Sequence, residues 1–156
     1  MAGERMVFPA GAAFAAGLVV LVAATLLALA QSAKERPNYE LSNITKGRSA
    51  RINLEIANDS WSQMRGLMFR DRIVPILFIF GSESIFPIHS HFVKAEFDAV
   101  YVGQNGTVNE VFRSIPPNTS LVQPKKNSSY LLELPLELTG RLAIEEGDSM
   151  RWKRLD

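Results

Sequence analysis

Residues 88–102, IHSHFVKAEFDAVYV, decide the predicted fold. The stretch is rich in β-branched and aromatic residues, it contains both histidines of the chain, and the turn sequence GQNG follows it at residues 103–106. These features predict a strand in the centre of a sheet. Because residues two apart in a strand share a face, we predict that His89 and His91 lie side by side.

Alternating polarity predicts most of the other strands. Ile52, Leu54 and Ile56 alternate with polar residues, so residues 51–57 are predicted to form one half-buried strand. The Asn105-Gly106 pair between two apolar runs predicts a hairpin. The remaining predicted strands cover residues 40–45, 76–80, 107–112, 130–134 and 149–155. About seven strands without long helices between them predict a mainly β fold, a compact sandwich or a distorted barrel.

Two short helices interrupt the strands. The first is expected to begin at Asp59 or Ser60, with Gln63 completing a capping box. One apolar side of this helix is predicted to face a sheet. That side is formed by residues at helical spacing, namely Trp61, Met64, Leu67 and Met68. The second helix is predicted over residues 136–141, after Pro135. Residues 81–84 are predicted as a turn and residues 114–129 as a long exposed loop.

The N-terminal residues 1–30 predict attachment to a membrane. Residues 7–30 contain no charged side chain, and a helix of that length spans roughly the ~30 Å hydrocarbon core of a bilayer. This length favours a retained signal anchor, whereas Ala28-Leu29-Ala30 fits the cleavage site of a signal peptide. We therefore expect a membrane-anchored domain, with secretion after cleavage near Ala30 as the alternative. A linker and first short strand (31–46) and a β-domain (47–156) follow.

Composition excludes several classes of function. The 156 residues carry a net charge of +1, which offers no electrostatic field for nucleic acid, so no nucleic-acid partner is predicted. The absence of cysteine excludes disulfides, thiol catalysis and cysteine-ligated zinc.

Glycosylation signals predict an extracytoplasmic location. N-x-[S/T] triplets begin at five of the eight asparagines, namely Asn43, Asn58, Asn105, Asn118 and Asn127. About one such triplet is expected by chance, so this excess favours a chain that is N-glycosylated outside the membrane. The alternative is that Asn, Gly, Ser and Thr cluster because they form turns.

The two histidines suggest a metal site. His89 and His91 on one strand face, completed by Asp98 or Glu96, would suit a divalent transition metal such as zinc. Since only carboxylates could complete the ligand set, the alternative is a pair of hydrogen-bonded structural histidines. No cofactor is otherwise implied.

Arg65, Arg70 and Asp98 are further ligand-binding candidates. The two arginines flank residues 66–69 and could pair with Asp98 or with an anionic ligand. Asp98 lies in an apolar strand, where a carboxylate is either buried and hydrogen-bonded or part of a pocket.

Several motifs together resemble one family. They are RGLMFR at 65–70, LFIF at 77–80, FDAVY at 97–101, LELP at 132–135 and IEEGD at 144–148. Across about residues 51–152 the chain resembles the DUF192 family, also called UPF0127. The resemblance implies a mainly β, sandwich-type domain, often behind a signal peptide or anchor, and no established activity. The chain departs from many relatives at Pro87-Ile88-His89-Ser90, where they have Trp-Met-Lys-Asn, and at Asn118, where they carry cysteine.

We therefore expect a non-enzymatic ligand-binding or accessory domain outside the membrane. Its ligand or cell-surface partner is expected to bind a cleft between the central strand and the 114–129 loop. The alternative is a metal-binding protein or metal-dependent enzyme centred on His89, His91 and Asp98. A third hypothesis is a glycan-binding module using Trp61 or Trp152, although both are predicted to face the core.

Overall fold

The computed structural model describes residues 38–155, which form eight strands and two helices. The predicted anchor or signal peptide (1–30) lies outside the described residues. Within residues 38–155 no helix has the length and apolar character needed to cross a membrane. The strands are β1 (Tyr39–Asn43), β2 (Arg48–Ile52), β3 (Glu55–Ala57), β4 (Ile76–Ser84), β5 (Phe97–Val102), β6 (Val108–Ile115), β7 (Ser128–Leu134) and β8 (Met150–Arg154), and the helices are α1 (Ser60–Arg65) and α2 (Leu136–Leu142).

The strands form two open sheets. One sheet has three strands in the order β2-β1-β8, and the other has five in the order β3-β4-β7-β5-β6. All neighbouring strands are antiparallel except β3 and β4, which are parallel. The predicted mainly β fold is confirmed, while the barrel alternative is wrong because neither sheet closes on itself.

The five-stranded sheet separates two hydrophobic cores. Leu132 and Leu134 of β7 point into the first core, which also contains residues of the three-stranded sheet and of α2. Leu131 points into the second core together with Phe78 and Tyr101. The second core is covered by loops rather than by a sheet. Since successive side chains of a strand alternate between faces, Glu133 shares the loop-covered face with Leu131.

The single strand predicted over residues 51–57 is wrong, because the chain changes sheets there. β2 ends at Ile52 in the three-stranded sheet and β3 begins at Glu55 in the other. The Asn38 side chain accepts a hydrogen bond from the Leu54 N–H (2.8 Å) and donates one to its carbonyl (3.2 Å). The apolar alternation persists across the break because both strands face the first core, so the pattern did not reveal the crossing.

Helix α1 is capped as predicted but faces solvent. Asp59 is the N-cap, and the reciprocal partner in its capping box is Ser62 rather than Gln63. The helix has no buried residue, and Trp61 and Met64 are exposed, so the predicted apolar face is wrong. The chain turns at Gly66, with φ of 42°, before Leu67 enters the second core.

The predicted central strand is shorter than expected. Only its second half forms β5, whereas residues 88–96 form an irregular segment that contains both histidines. This segment is held by the 114–129 loop, through pairing of Ile88 with Val122 and a hydrogen bond from the Ser90 N–H to Thr119. The predicted turn at 81–84 is also wrong, since β4 continues to Ser84.

The predicted hairpin at Asn105-Gly106 is confirmed. β5 and β6 pair on either side of it, and Gly106 adopts a φ of 84°. A Cβ atom at Gly106 would lie 2.9 Å from the Met150 carbonyl oxygen, so the turn also requires close approach to β8. The short helix after Pro135 and the last strand, with Met150 buried, are confirmed as well.

Candidate functional site

A cavity of about 150 Å³ lies on the loop-covered face of the five-stranded sheet. Its walls are α1 with the following turn and the segment 88–93, and its floor is the sheet. It is lined by residues 63–68, by Ile88, His89 and Val93, and by Phe78 and Glu133. We call it the Glu133 cavity.

Glu133 places a carboxyl group among apolar side chains. It is only 5% exposed, and its Oε2 atom has no hydrogen-bond partner in the described part of the chain. Burial raises the pKa of Glu133 to about 8, although the nearby Arg70 opposes the shift. The carboxyl group is therefore mostly protonated at neutral pH, when it can donate a hydrogen bond.

Gly66 keeps the space above this carboxyl group open. A Cβ atom at Gly66 would lie 3.2 Å from the Phe78 ring and 3.5 Å from Glu133 Oε2. Its positive φ is also strained for a residue with a side chain. The glycine of the RGLMFR motif thus shapes the cavity as well as ending α1.

Arg70 stabilises the wall of the cavity through hydrogen bonds. Its Nε donates to the Gly66 carbonyl (2.9 Å), and its two terminal nitrogens bind both oxygens of Glu55 (2.8 and 2.7 Å). Arg65, which lines the cavity, lies 3.9 Å from the same carboxylate. The expected pairing of these arginines with Asp98 is therefore wrong, since Glu55 is their shared partner.

Asp98 has a structural environment of its own. It is buried, its Oδ1 accepts the Ser114 N–H (2.7 Å), and its Oδ2 lies 3.6 Å from Arg113. Ser114 has a positive φ of 49° on β6, so the carboxylate supports a strained backbone position. Asp98 does not line the Glu133 cavity.

His89 and His91 are neighbours, but no strand aligns them. Their ring centroids are 5.0 Å apart, and the His91 N–H donates to His89 Nδ1 (3.3 Å). The prediction that they share a strand face is wrong because residues 89–91 belong to no strand, and the chain turns directly after them at Phe92, with φ of 61°. Residues 38–155 contain no group of three His, Asp or Glu side chains able to hold a metal ion. Metal binding stays a prediction.

A row of four rings, of which only His91 is half-buried, begins at the rim of the cavity. From His89 it continues through His91 to Phe92, with 6.4 Å between the latter two ring centroids, and ends at Phe69, which stacks on Phe92 at 4.9 Å. Phe69 and Phe92 are 69% and 60% exposed, and both have positive φ. Such exposed and strained aromatic residues are frequent at binding sites.

The two tryptophans differ in exposure. Trp61 projects from α1 into solvent, contrary to the predicted core position. Trp152 is partly buried against the first core and packs edge-on against Tyr130 at 5.0 Å. The prediction of a core-facing residue therefore holds only for Trp152.

The predicted glycosylation sites differ in whether the acceptor asparagine is buried or exposed. Asn43 is fully buried, and its amide donates to the Leu142 carbonyl and to Asp148. It has no room for a glycan in this fold. The other four acceptors, Asn58, Asn105, Asn118 and Asn127, are exposed.

The structure thus brings two of the predicted site residues, Arg65 and His89, into one cavity. The 114–129 loop does not line this cavity but fastens the 88–93 wall, where Ser90 Oγ bonds Pro116 (2.6 Å) and Thr119 (2.7 Å). Glu133 was not among the site residues predicted from the sequence. Its signal was a single charged residue in the apolar strand YLLEL, on the same face as Leu131.

Comparisons with known proteins agree with these motifs and this fold. The family model DUF192, "Uncharacterized ACR, COG1430", matches residues 42–152. A UPF0127 protein of Pyrococcus furiosus is 26% identical over 72% of this chain and 97% of its own length. Another, of Pyrococcus abyssi, is 30% identical over 64% of this chain and 85% of its own length.

Two solved structures share the fold. A protein from Sinorhizobium meliloti has a TM-score of 0.67 and 22% identity, covering 74% of this chain and 92% of that one. A protein of unknown function from Novosphingobium aromaticivorans has a TM-score of 0.63 and 22% identity, covering 74% of this chain and 84% of that one.

The segment 42–152, which the family model matches, includes every residue that lines the Glu133 cavity. The chain therefore belongs to the DUF192 family, also called UPF0127.

Proposed function

We propose that this protein is a non-enzymatic ligand-binding domain whose ligand occupies the Glu133 cavity. The observation that carries the proposal is the buried carboxyl group with an unpartnered oxygen at the cavity floor. Leaving a buried polar group unsatisfied costs about 1–3 kcal/mol, and a bound hydrogen-bonding ligand removes that cost.

The chemistry of the lining favours binding over catalysis. The cavity is lined mainly by apolar side chains with few polar groups, as small-molecule sites usually are. Its lining contains no Ser, Thr or Lys side chain that could serve as a nucleophile. The exposed Phe69–Phe92 pair next to it offers an apolar platform for the part of a ligand that extends outside.

A fragment screen against the full chain tests this proposal. Fragments that raise the melting temperature of the wild type are compared on Glu133→Met, which keeps the side-chain length and removes the carboxyl group. Glu83→Gln, at an exposed position on β4, is the control. We expect hits that stabilise the wild type and the control but not Glu133→Met. Hits that act equally on all three proteins would contradict binding at Glu133.

We further propose that the domain is held outside the membrane by residues 1–30. Support comes from the uncharged sequence of residues 7–30 and from the exposure of four of the five glycosylation triplets. Mass spectrometry of protein from its native cells is expected to find glycans at exposed acceptors and none at Asn43. Unmodified peptides at all five positions would argue against this location.

A further inference from the structure

We infer that the Glu133 cavity binds a small apolar carboxylate, whose oxygens accept hydrogen bonds from Glu133, His89 and Arg65. This inference rests on the proposed function and names its ligand class. The two are separable because a cavity that binds another class of ligand would retain the function and lose the inference.

The polar side chains of the cavity are mostly donors. Glu133 donates when protonated. The Nδ1 atom of His89 accepts the backbone N–H of His91, so the proton of the neutral ring lies on Nε2, which is then a donor. The Arg65 guanidinium can only donate. The Gln63 amide nitrogen is already engaged with the Ile79 carbonyl (2.9 Å).

The charge balance also favours an anion. Two guanidinium groups, Arg65 and Arg70, share the single carboxylate of Glu55. With Glu133 protonated, this cluster carries one unbalanced positive charge beside the cavity. A cationic ligand would have to bind next to that charge. An anionic ligand would balance it.

The groups that face Glu133 are consistent with a protonated carboxyl. Arg70 acts against the raised pKa but is held by both oxygens of Glu55. Tyr101 shares the second core, and burial raises its pKa, so it stays neutral while its hydroxyl donates to the Phe86 carbonyl (2.8 Å). Arg65 and His89 are the other ionisable side chains of the cavity lining.

The remaining lining limits the ligand to a small apolar body. Leu67 and Val93 form apolar walls with Ile88 and the two methionines, and Phe78 forms an apolar part of the floor. The volume of about 150 Å³ is well below the roughly 300 Å³ at which drug-sized pockets begin. A carboxylate with one ring or a short branched chain matches this space. Such a group occurs in free acids and at the C-terminus of peptides that end in an apolar residue.

Calorimetric titration of the full chain with sodium benzoate at pH 6 and pH 9 tests the inference. We expect benzoate to bind about tenfold more weakly at pH 9, because about a tenth of Glu133 carboxyls, with a pKa of about 8, stay protonated there. Glu133→Gln keeps a donor without titrating, so its affinity should change much less than that of the wild type between the two pH values. Benzylamine, the matched cation, should not bind.

Arg65→Gln is a second variant that does not disturb the core, since Arg65 is exposed and its ion pair is long at 3.9 Å. We expect it to weaken benzoate binding several-fold at both pH values, and Arg51→Gln, exposed on β2, to leave it unchanged. Tripeptides ending in Phe, with a free or an amidated C-terminus, distinguish the source. Binding of only the free form identifies a peptide terminus, and binding of benzoate alone identifies a free acid.

Two results would overturn the inference. Benzylamine binding that strengthens at pH 9 would make the cavity a cation site while leaving the proposed function intact. Absence of benzoate binding, with other fragments bound at Glu133, would have the same consequence. If no fragment binds at Glu133 either, the proposed function falls as well.

Discussion

Glu133 lies between Ile76 of β4 and Ala99 of β5, in the interior of the five-stranded sheet. A carboxyl group in such a position lowers stability unless it is hydrogen-bonded. Residues selected for binding often impose this kind of cost, and the surrounding structure must compensate for it. At the scale of single residues, stability measurements on Glu133 can therefore be informative before any ligand is known.

The free energy of unfolding is expected to depend on pH through Glu133. Its pKa rises from 4.5 to about 8 on folding, so between these values the folded state holds a proton that the unfolded state releases. The stabilising contribution of this proton is complete below pH 4.5 and is lost as pH rises through about 8. Relative to Glu133→Gln, the wild type should lose about 1.4 kcal/mol per pH unit within this window.

Urea unfolding at several pH values measures this difference. The matched control is Glu110→Gln, because Glu110 is also buried but accepts the N–H groups of Lys125 (2.6 Å) and Lys126 (2.8 Å). That control should lose stability, by about 1–3 kcal/mol. A pH-independent difference between the wild type and Glu133→Gln would show that Glu133 is not protonated in the folded protein.

Arg70 should matter more to the cavity wall than Arg65. Arg70→Met removes a two-point ion pair with Glu55 and a hydrogen bond to Gly66, so we expect a loss of about 1–3 kcal/mol. Arg65→Met removes only the exposed 3.9 Å contact and should cost less than about 0.5 kcal/mol. Hydrogen exchange should also show faster opening of residues 66–70 in Arg70→Met alone. Equal effects of the two variants would contradict this assignment.

At the scale of elements, the crossing from β2 to β3 is the main departure from the sequence pattern. The crossing leaves the backbone groups of Leu54 without a strand partner, and the Asn38 side chain binds both of them. A side chain thus replaces one step of a β ladder at the point where the chain passes between the sheets.

Asn38→Ala is expected to destabilise the protein by about 1–3 kcal/mol, because it leaves the buried Leu54 backbone unsatisfied. Asn53→Ala changes the exposed residue next to the crossing and should stay within about 0.5 kcal/mol of the wild type. Chemical denaturation of both variants compares them directly. A neutral Asn38→Ala would mean that solvent or another group satisfies Leu54.

At the scale of the whole molecule, Asn43 connects distant parts of the chain. From the end of β1 it donates to the Leu142 carbonyl (3.1 Å) at the end of α2 and to Asp148 (2.8 Å) before β8. It also accepts the Lys46 N–H (3.2 Å) in the following turn. The bonds to Leu142 and Asp148 join residues about a hundred positions apart, so they form only when the fold is complete.

Asn43→Ala should lower the free energy of unfolding by about 2–3 kcal/mol, because several buried groups lose their partner together. Asn58→Ala, at an exposed acceptor, should change it by less than about 0.5 kcal/mol. Thermal and urea unfolding measure both variants. If Asn43→Ala leaves the free energy of unfolding unchanged, the Asn43 side chain is not needed in the buried network, and position 43 again becomes a candidate glycosylation site.

From the sequence alone we predicted the mainly β fold class, the hairpin at Asn105-Gly106, a helix capped by Asp59 or Ser60 and the family, since these depend on local periodicity, turn chemistry and short motifs. Tertiary structure decided which sheet each strand joins, that Arg65 and Arg70 pair with Glu55, and that residues 88–96 are irregular. It also decided that Glu133 meets Gly66 at a cavity. These outcomes depend on contacts between residues far apart in the chain, and the pattern of one strand carries no information about its partners.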